Sequence, residues 1–285
     1  MRIGTEMGPM PEIAPTQPEQ QTIPRWESRM EKIRKSSLAN RERLIADHGF
    51  NTHEKQAELG TGLEKIRQTM RVTTNMNFES LLMVLQEGKV QSVYESRDER
   101  MPIVGFSPGG RAISWISKVL KVDLWERIRA ERQMGIRASG TENDPHSIYG
   151  ALASENGVDE RVGGAGGENG SVYGDSIIIL RNEKVKERTT FTYGDSFNPE
   201  RKFPVVWEDV PYLKAMRDIE GIPYVEAQIL GGVTTDDIEE IRIRVRPDEQ
   251  ETIEQKIAGV RQQFPDIKFS FVLFEEGKEN VQSES

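Results

Sequence analysis

Gly221-Ile222-Pro223-Tyr224-Val225-Glu226-Ala227-Gln228-Ile229-Leu230-Gly231-Gly232 is the stretch on which the fold turns. Tyr224 to Leu230 carries the β-branched content and alternation of a strand, closed off by Gly and Pro before it and by a glycine pair after it. Alternate strand residues share a face, so Glu226 and Gln228 lie on one side, and Val225, Ala227 and Ile229 on the other. A carboxylate among such apolar neighbours is either exposed at a sheet edge or kept for a chemical task. Downstream, Thr234 or Thr235 can cap a helix opening at Asp236-Asp237, and Ile241 to Val245 returns as an alternating strand. Glu249 to Gln263 then reads as a helix, and Lys268 to Phe274 as the last strand.

Upstream, Ser176 to Leu180 is a strongly apolar strand and Arg188 to Tyr193 a second one, joined by a charged turn that suggests an antiparallel hairpin. Gly194-Asp195-Ser196 reads as a turn. Trp26, Met30, Ile33, Leu44 and Ile45 fall at helical spacing among Arg, Lys and Glu, whose positive balance is read as a solvated face. His53 to Gln68 is expected as one helix running into a strand at Met70-Arg71-Val72-Thr73-Thr74. A short helix over Phe78 to Gln86 ends at Gly88, and Lys89 to Tyr94 alternates like a strand. Arg111 to Arg132 is expected as a helix with a stripe of Ile113, Ile116, Leu120, Leu124 and Ile128. The glycine-dense Gly163 to Gly170 lacks the spacing of a dinucleotide fingerprint or a P-loop and reads as a loop. Strands interspersed with helices, without regular βαβ alternation, give an α+β class with mixed or antiparallel sheets.

The chain has 285 residues, 35% hydrophobic and 30% charged, enough for a packed domain with some length left unpacked. Residues 1–24, rich in Pro, Gln and Glu, read as a disordered leader. Residues 25–68 are expected as an N-terminal helical segment, 69–276 as the main domain and 277–285 as a loose tail. The absence of cysteine excludes a disulfide framework, a thiol nucleophile and a zinc–thiolate site. His53-Glu54 lacks a second histidine at zinc-protease spacing, so no metal is expected. A net charge of −9 favours protein over nucleic acid as partner. No apolar run approaches the roughly 20 residues of a membrane span, and the N-terminus lacks the apolar stretch of a cleavable signal peptide.

Three segments in order, Met70-Arg71-Val72-Thr73, Arg188-Thr189-Thr190-Phe191-Thr192 and Tyr224-Val225-Glu226-Ala227-Gln228, resemble the mono-ADP-ribosyltransferases of the cholera-toxin-like class. Ser171-Val172-Tyr173-Gly174-Asp175-Ser176 through Thr190-Phe191-Thr192-Tyr193-Gly194-Asp195-Ser196, and Glu226-Ala227-Gln228-Ile229 with Gly231-Gly232 and Asp236-Asp237-Ile238, look like segments of that class's bacterial toxin and effector relatives. The resemblance implies two sheets forming a cleft for NAD, an arginine on the first strand, a Ser/Thr-rich central strand and a late catalytic glutamate. It makes NAD the co-substrate, cleaved at the nicotinamide–ribose bond, with Glu226 as the catalytic residue.

Breaking that bond develops positive charge on the ribose, so a carboxylate beneath the ring stabilises the transition state more than the ground state. Arg71 would meet the diphosphate or the adjoining ribose with its fork of donors. Thr189, Thr190 and Phe191 belong to the expected NAD-binding strand, with Thr190 favoured inward, and Tyr149 is a candidate to stack on nicotinamide. Tyr224 stands where the class commonly has Glu or Gln, which leaves the acceptor open; Gln228, on the face of Glu226, could take over part of acceptor recognition. A protein in a target cell is the expected acceptor, reached by a secreted effector. The rival readings are a catalytically silent relative acting as a protein-binding module and a phage-associated structural protein.

Overall fold

The computed structural model describes residues 26–90, 122–137, 147–153, 175–196, 203–222 and 224–273. The leader, the glycine-dense stretch, the tail, the first half of the helix expected from Arg111 and the end of the strand expected from Lys89 lie outside these residues.

The class is α+β. Strands β1 (Arg71–Met76), β3 (Ile148–Ala153), β4 (Ser176–Leu180), β5 (Thr189–Tyr193), β6 (Val225–Ile229), β8 (Ile238–Val245) and β9 (Lys268–Leu273) form a seven-stranded sheet in the order β5-β6-β3-β1-β4-β8-β9. Among the described strands only β8 and β9 pair in parallel, so the sheet is mixed. The second sheet is a short ribbon of β2 (Lys89–Val90) and β7 (Val233–Thr234), so among the described residues a single large sheet stands where two were expected.

The expected hairpin of Ser176–Leu180 with Arg188–Tyr193 does not form. After β4 the chain turns through α6 (Asn182–Val185) and a 3-10 turn at Lys186–Arg188, and this helical connection carries it away from β4 to the far edge of the sheet. The helix expected over His53 to Gln68 is two, α2 (His53–Gly60) and α3 (Leu63–Thr69). Gly62 between them adopts φ +89°, a left-handed conformation that breaks the helical ladder. The helix expected at Asp236 is a single 3-10 turn, Thr235–Asp237, closed by a reciprocal cap between Thr234 and Asp237.

The sheet has two unlike faces. One presents Val72, Met76, Ile148, Leu152, Ile178, Phe191, Tyr193, Val225, Ala227, Ile229, Ile241 and Ile243, all buried in the main core. Against it pack α4 (Phe78–Glu87) through Leu81 and Leu85, α7 (Val210–Glu220) through Leu213 and Met216, and α8 (Gln250–Gln263) through Ile257. The opposite face is largely polar and is where the candidate site lies.

Helix α1 (Trp26–Asp47) is tied to the sheet-bearing body. Met30 and Ile33 join Ala130 of α5 (Val122–Gln133), Met134, Ile136, Val206 and Leu230 in a second cluster. The buried Ser37 hydroxyl donates to Asp209 Oδ2 (2.6 Å) and accepts from the Val206 N–H (2.9 Å), while Arg41 donates to Asp209 Oδ1 (2.8 Å). Trp26 lies across Gly231, where a Cβ would come within 3.0 Å of the indole.

Candidate active site

Directly opposed residues of neighbouring strands project to the same face. The register aligns Thr192 of β5 with Glu226 of β6, Glu226 with Ala151 of β3, and Ala151 with Thr73 of β1. Stepping by two along each strand adds Thr190, Gln228, Tyr149 and Arg71 to that face. Arg71, Thr190 and Glu226 therefore share one surface of one sheet. Arg71 and Glu226 are two strands and two residues apart, about 12 Å between backbones, a separation a dinucleotide can bridge.

The centre of the face is a chain of buried hydrogen bonds. The Thr190 hydroxyl donates to Gln228 Oε1 (2.8 Å), and Gln228 Nε2 donates to both Thr192 Oγ1 (2.9 Å) and Glu226 Oε1 (2.9 Å). Thr192 passes its own proton to the Gly194 carbonyl (3.2 Å). With Oε1 taking the Thr190 proton, the Gln228 Nε2 is the atom that faces Thr192 and the Glu226 carboxyl group. Gln228, Thr190 and Thr192 are fully buried, and Glu226 is 6% exposed.

The expected set divides. Thr189 and Phe191 belong to the other face: Thr189 donates to the Val185 carbonyl (2.8 Å), and Phe191 is in the main core against Trp207. Strand periodicity puts them there and allows only Thr190 and Thr192 of β5 to point with Glu226; Thr190 is itself sealed, its hydroxyl spent on Gln228. Gln228 is also corrected as an acceptor-recognising group, since it is sealed from solvent with both amide hydrogens used internally. Arg71, partly buried, donates to the Met70 carbonyl (3.0 Å) at the start of β1. Tyr224 lies just before β6 and is partly buried.

Tyr149 stands opposite Gln228, and its hydroxyl donates to Glu131 Oε1 (3.2 Å). Glu131, near the end of α5, is 1% exposed and also accepts from the Arg137 guanidinium (2.5 Å) and the Ser147 N–H (3.3 Å). Sequence reasoning passed over this second buried carboxylate. In Trp125-Glu126-Arg127-Ile128-Arg129-Ala130-Glu131-Arg132 it looks like one more solvated charge, and Arg137, Ser147 and Tyr149 lie beyond the helix.

The polar face continues to Glu240 of β8, held by Arg242 Nε (2.9 Å), Ser270 Oγ (2.7 Å) and Lys268 Nζ (3.4 Å). Burial opposes its charge, but the bonds from Arg242 and Ser270 and the nearby cations outweigh it and lower its carboxyl to about 2. At the end of the sheet, burial raises Asp175 above the usual aspartate range against a bond from Ser176. Asp175 lines a cavity of about 220 Å³ with Asn77, Phe78 and Arg244, and a larger one of about 470 Å³ lies along Ile128, Arg129, Arg132 and Gln133. Neither includes Arg71, Thr190 or Glu226 among its described lining residues.

Among the described residues no cluster of His, Asp and Glu could hold a metal ion, and no helix is long and apolar enough to cross a membrane. No protein-family model matches the sequence, and no curated protein matches it. The chain is similar to solved structures of Thermus sp. 2.9 DarT. For the complex with NAD+ the TM-score is 0.41 at 11% identity, covering 71% of this chain and 94% of that one. For the complex with carba-NAD+ it is 0.35 at 10% identity, covering 72% and 95%.

Proposed function

We propose that the chain is a mono-ADP-ribosyltransferase that cleaves NAD at the nicotinamide–ribose bond and passes ADP-ribose to a macromolecule. What supports this reading is one observation: Arg71, Thr190 and Glu226, named from the resemblance of three separate segments, occupy the same face of one sheet. In this reading Glu226 sits beneath the ribose and stabilises the positive charge that grows there as nicotinamide leaves. Its carboxylate then orients or deprotonates the attacking group of the acceptor. Arg71, at the other end of the face, meets the diphosphate or its ribose. The net charge of −9 favours a protein acceptor, and the resemblance to toxin and effector relatives is the ground for proposing one in a target cell.

The test uses NAD labelled on its adenylate half, with release of nicotinamide followed in parallel. Purified protein should release nicotinamide, and Glu226→Ala should slow this by about 100- to 1000-fold, the scale on which a preorganised electrostatic group acts. Label incorporated in a lysate and removed by protease supports protein as acceptor; removal by nuclease replaces it with nucleic acid. Equal release by the wild type and Glu226→Ala would end the proposal.

A further inference from the structure

We infer that Gln228 is a positioning residue, the link through which the threonine strand fixes the carboxylate of Glu226. This rests on the reading of Glu226 as the catalytic carboxylate. Neither threonine supplies a hydrogen bond to Glu226 itself: Thr190 gives its proton to Gln228 Oε1, and Thr192 gives its own to the Gly194 carbonyl. The bond between β5 and that carboxylate runs through the Gln228 amide, whose two N–H groups span Thr192 Oγ1 and Glu226 Oε1 at 2.9 Å each. Glu226 and Gln228 are i and i+2 on β6, with Thr192 and Thr190 directly opposite them, so four side chains close one compact array across two strands.

The array has the properties of a device that holds a charge in place. It is dry, since Thr190, Thr192 and Gln228 have no exposed surface. In a dry site each bond is stronger, and an unmade one more costly, than in water. The amide donates to the ionised form of Glu226 and fixes the oxygen that takes the bond. A flip of the amide would set its carbonyl oxygen against the carboxylate, and the Thr190 hydroxyl, donating to Oε1, fixes where that amide sits. Thr190 therefore acts at second hand, and Gln228 touches neither NAD nor acceptor.

The experiment measures nicotinamide release from NAD across pH, with kcat and KM separated. Thr190→Val keeps the shape and removes the donor, and should lower kcat about 10-fold with KM for NAD unchanged; Thr190→Ser should restore it to within about 2-fold of the wild type. Gln228→Met should cost about 100-fold in kcat. Gln228→Glu gives the sharpest reading. Protonated, the introduced carboxyl can still donate to Glu226; ionised, it repels it, so activity should fall as pH rises through a range where the wild type is flat. A loss confined to KM, a Gln228→Glu variant without that added limb, or a Thr190→Ser as impaired as Thr190→Val would overturn the inference.

A readout independent of turnover keeps this apart from the NAD reading. In NMR spectra, Glu226→Gln should shift the Gln228 side-chain amide protons, whereas Arg71→Ala should leave them in place. If the wild type releases no nicotinamide, the NAD reading falls while the amide signals still decide the coupling; signals indifferent to Glu226→Gln would sink it.

Discussion

Glu240 and Glu226 lie on the same sheet face, yet their surroundings suit different tasks. Glu240 is gripped by Arg242, Ser270 and Lys268, which lower its carboxyl from 4.5 to about 2. A carboxyl whose folded value is depressed contributes stability that is present above its unfolded value and lost as pH falls through the folded one. Between pH 4.5 and about 2, Glu240 should therefore account for part of the acid destabilisation, about 1 kcal/mol after solvent screening of an ion pair that includes a 69% exposed lysine side chain. Urea titrations at stepped pH should show Glu240→Gln with a shallower slope in that window; an unchanged slope would place the acid sensitivity elsewhere. At this scale the sequence was legible where alternation governs. Glu226 and Gln228 share a face by parity, as Thr190 and Thr192 do, with Thr189 and Phe191 on the other side of their strand; that the two polar pairs meet is set by the register of β5 on β6. Glu131 was not legible, because Arg137 reaches it through the turn that follows α5, and Ser147 and Tyr149 reach it only through tertiary packing.

The strands of the site are set by close backbone contacts as much as by side chains. Gly150, on β3 between Tyr149 and Ala151, has no room for a methyl group: an added Cβ would stand 1.9 Å from the Thr73 carbonyl oxygen of β1. Gly150→Ala should push β3 from β1, the two strands between Arg71 and β6, at a cost of about 3 kcal/mol or more in denaturant unfolding. A variant as stable as the wild type would mean that the strands are less closely joined. Beyond the far end of β6, Arg188 donates to the carbonyls of Leu230 (2.9 Å) and Gly232 and to Asp237 (2.8 Å), so the chain leaving the strand is held at several points. β1, β5 and β6 could be read from the sequence because their alternation and β-branched content are strong, whereas β3, which joins β6 to β1, was not read as a strand. The pairing order could not: nothing local in Ser176–Leu180 or Arg188–Tyr193 says that a helical turn, and not a tight reversal, lies between them.

At the scale of the molecule, α1 is bound into the body that carries the site. The Ser37 hydroxyl serves both Asp209 and the Val206 N–H from a 1% exposed position, so Ser37→Ala should cost about 2 kcal/mol by leaving buried polar groups without a partner. The loss should appear in a single unfolding transition followed by both far-UV and tryptophan signals. A separate early transition for α1 would instead mark the helix as an independent piece. The placement of Glu226 on an interior strand also constrains how the gene can drift. One codon gained or lost within Val225–Ile229 would reverse the facing of every residue on one side of the change, sending Glu226 or Gln228 into the hydrocarbon layer and apolar neighbours toward the polar array. A change of length is therefore tolerable at the connections, whereas one between Tyr224 and Leu230 would take the array apart.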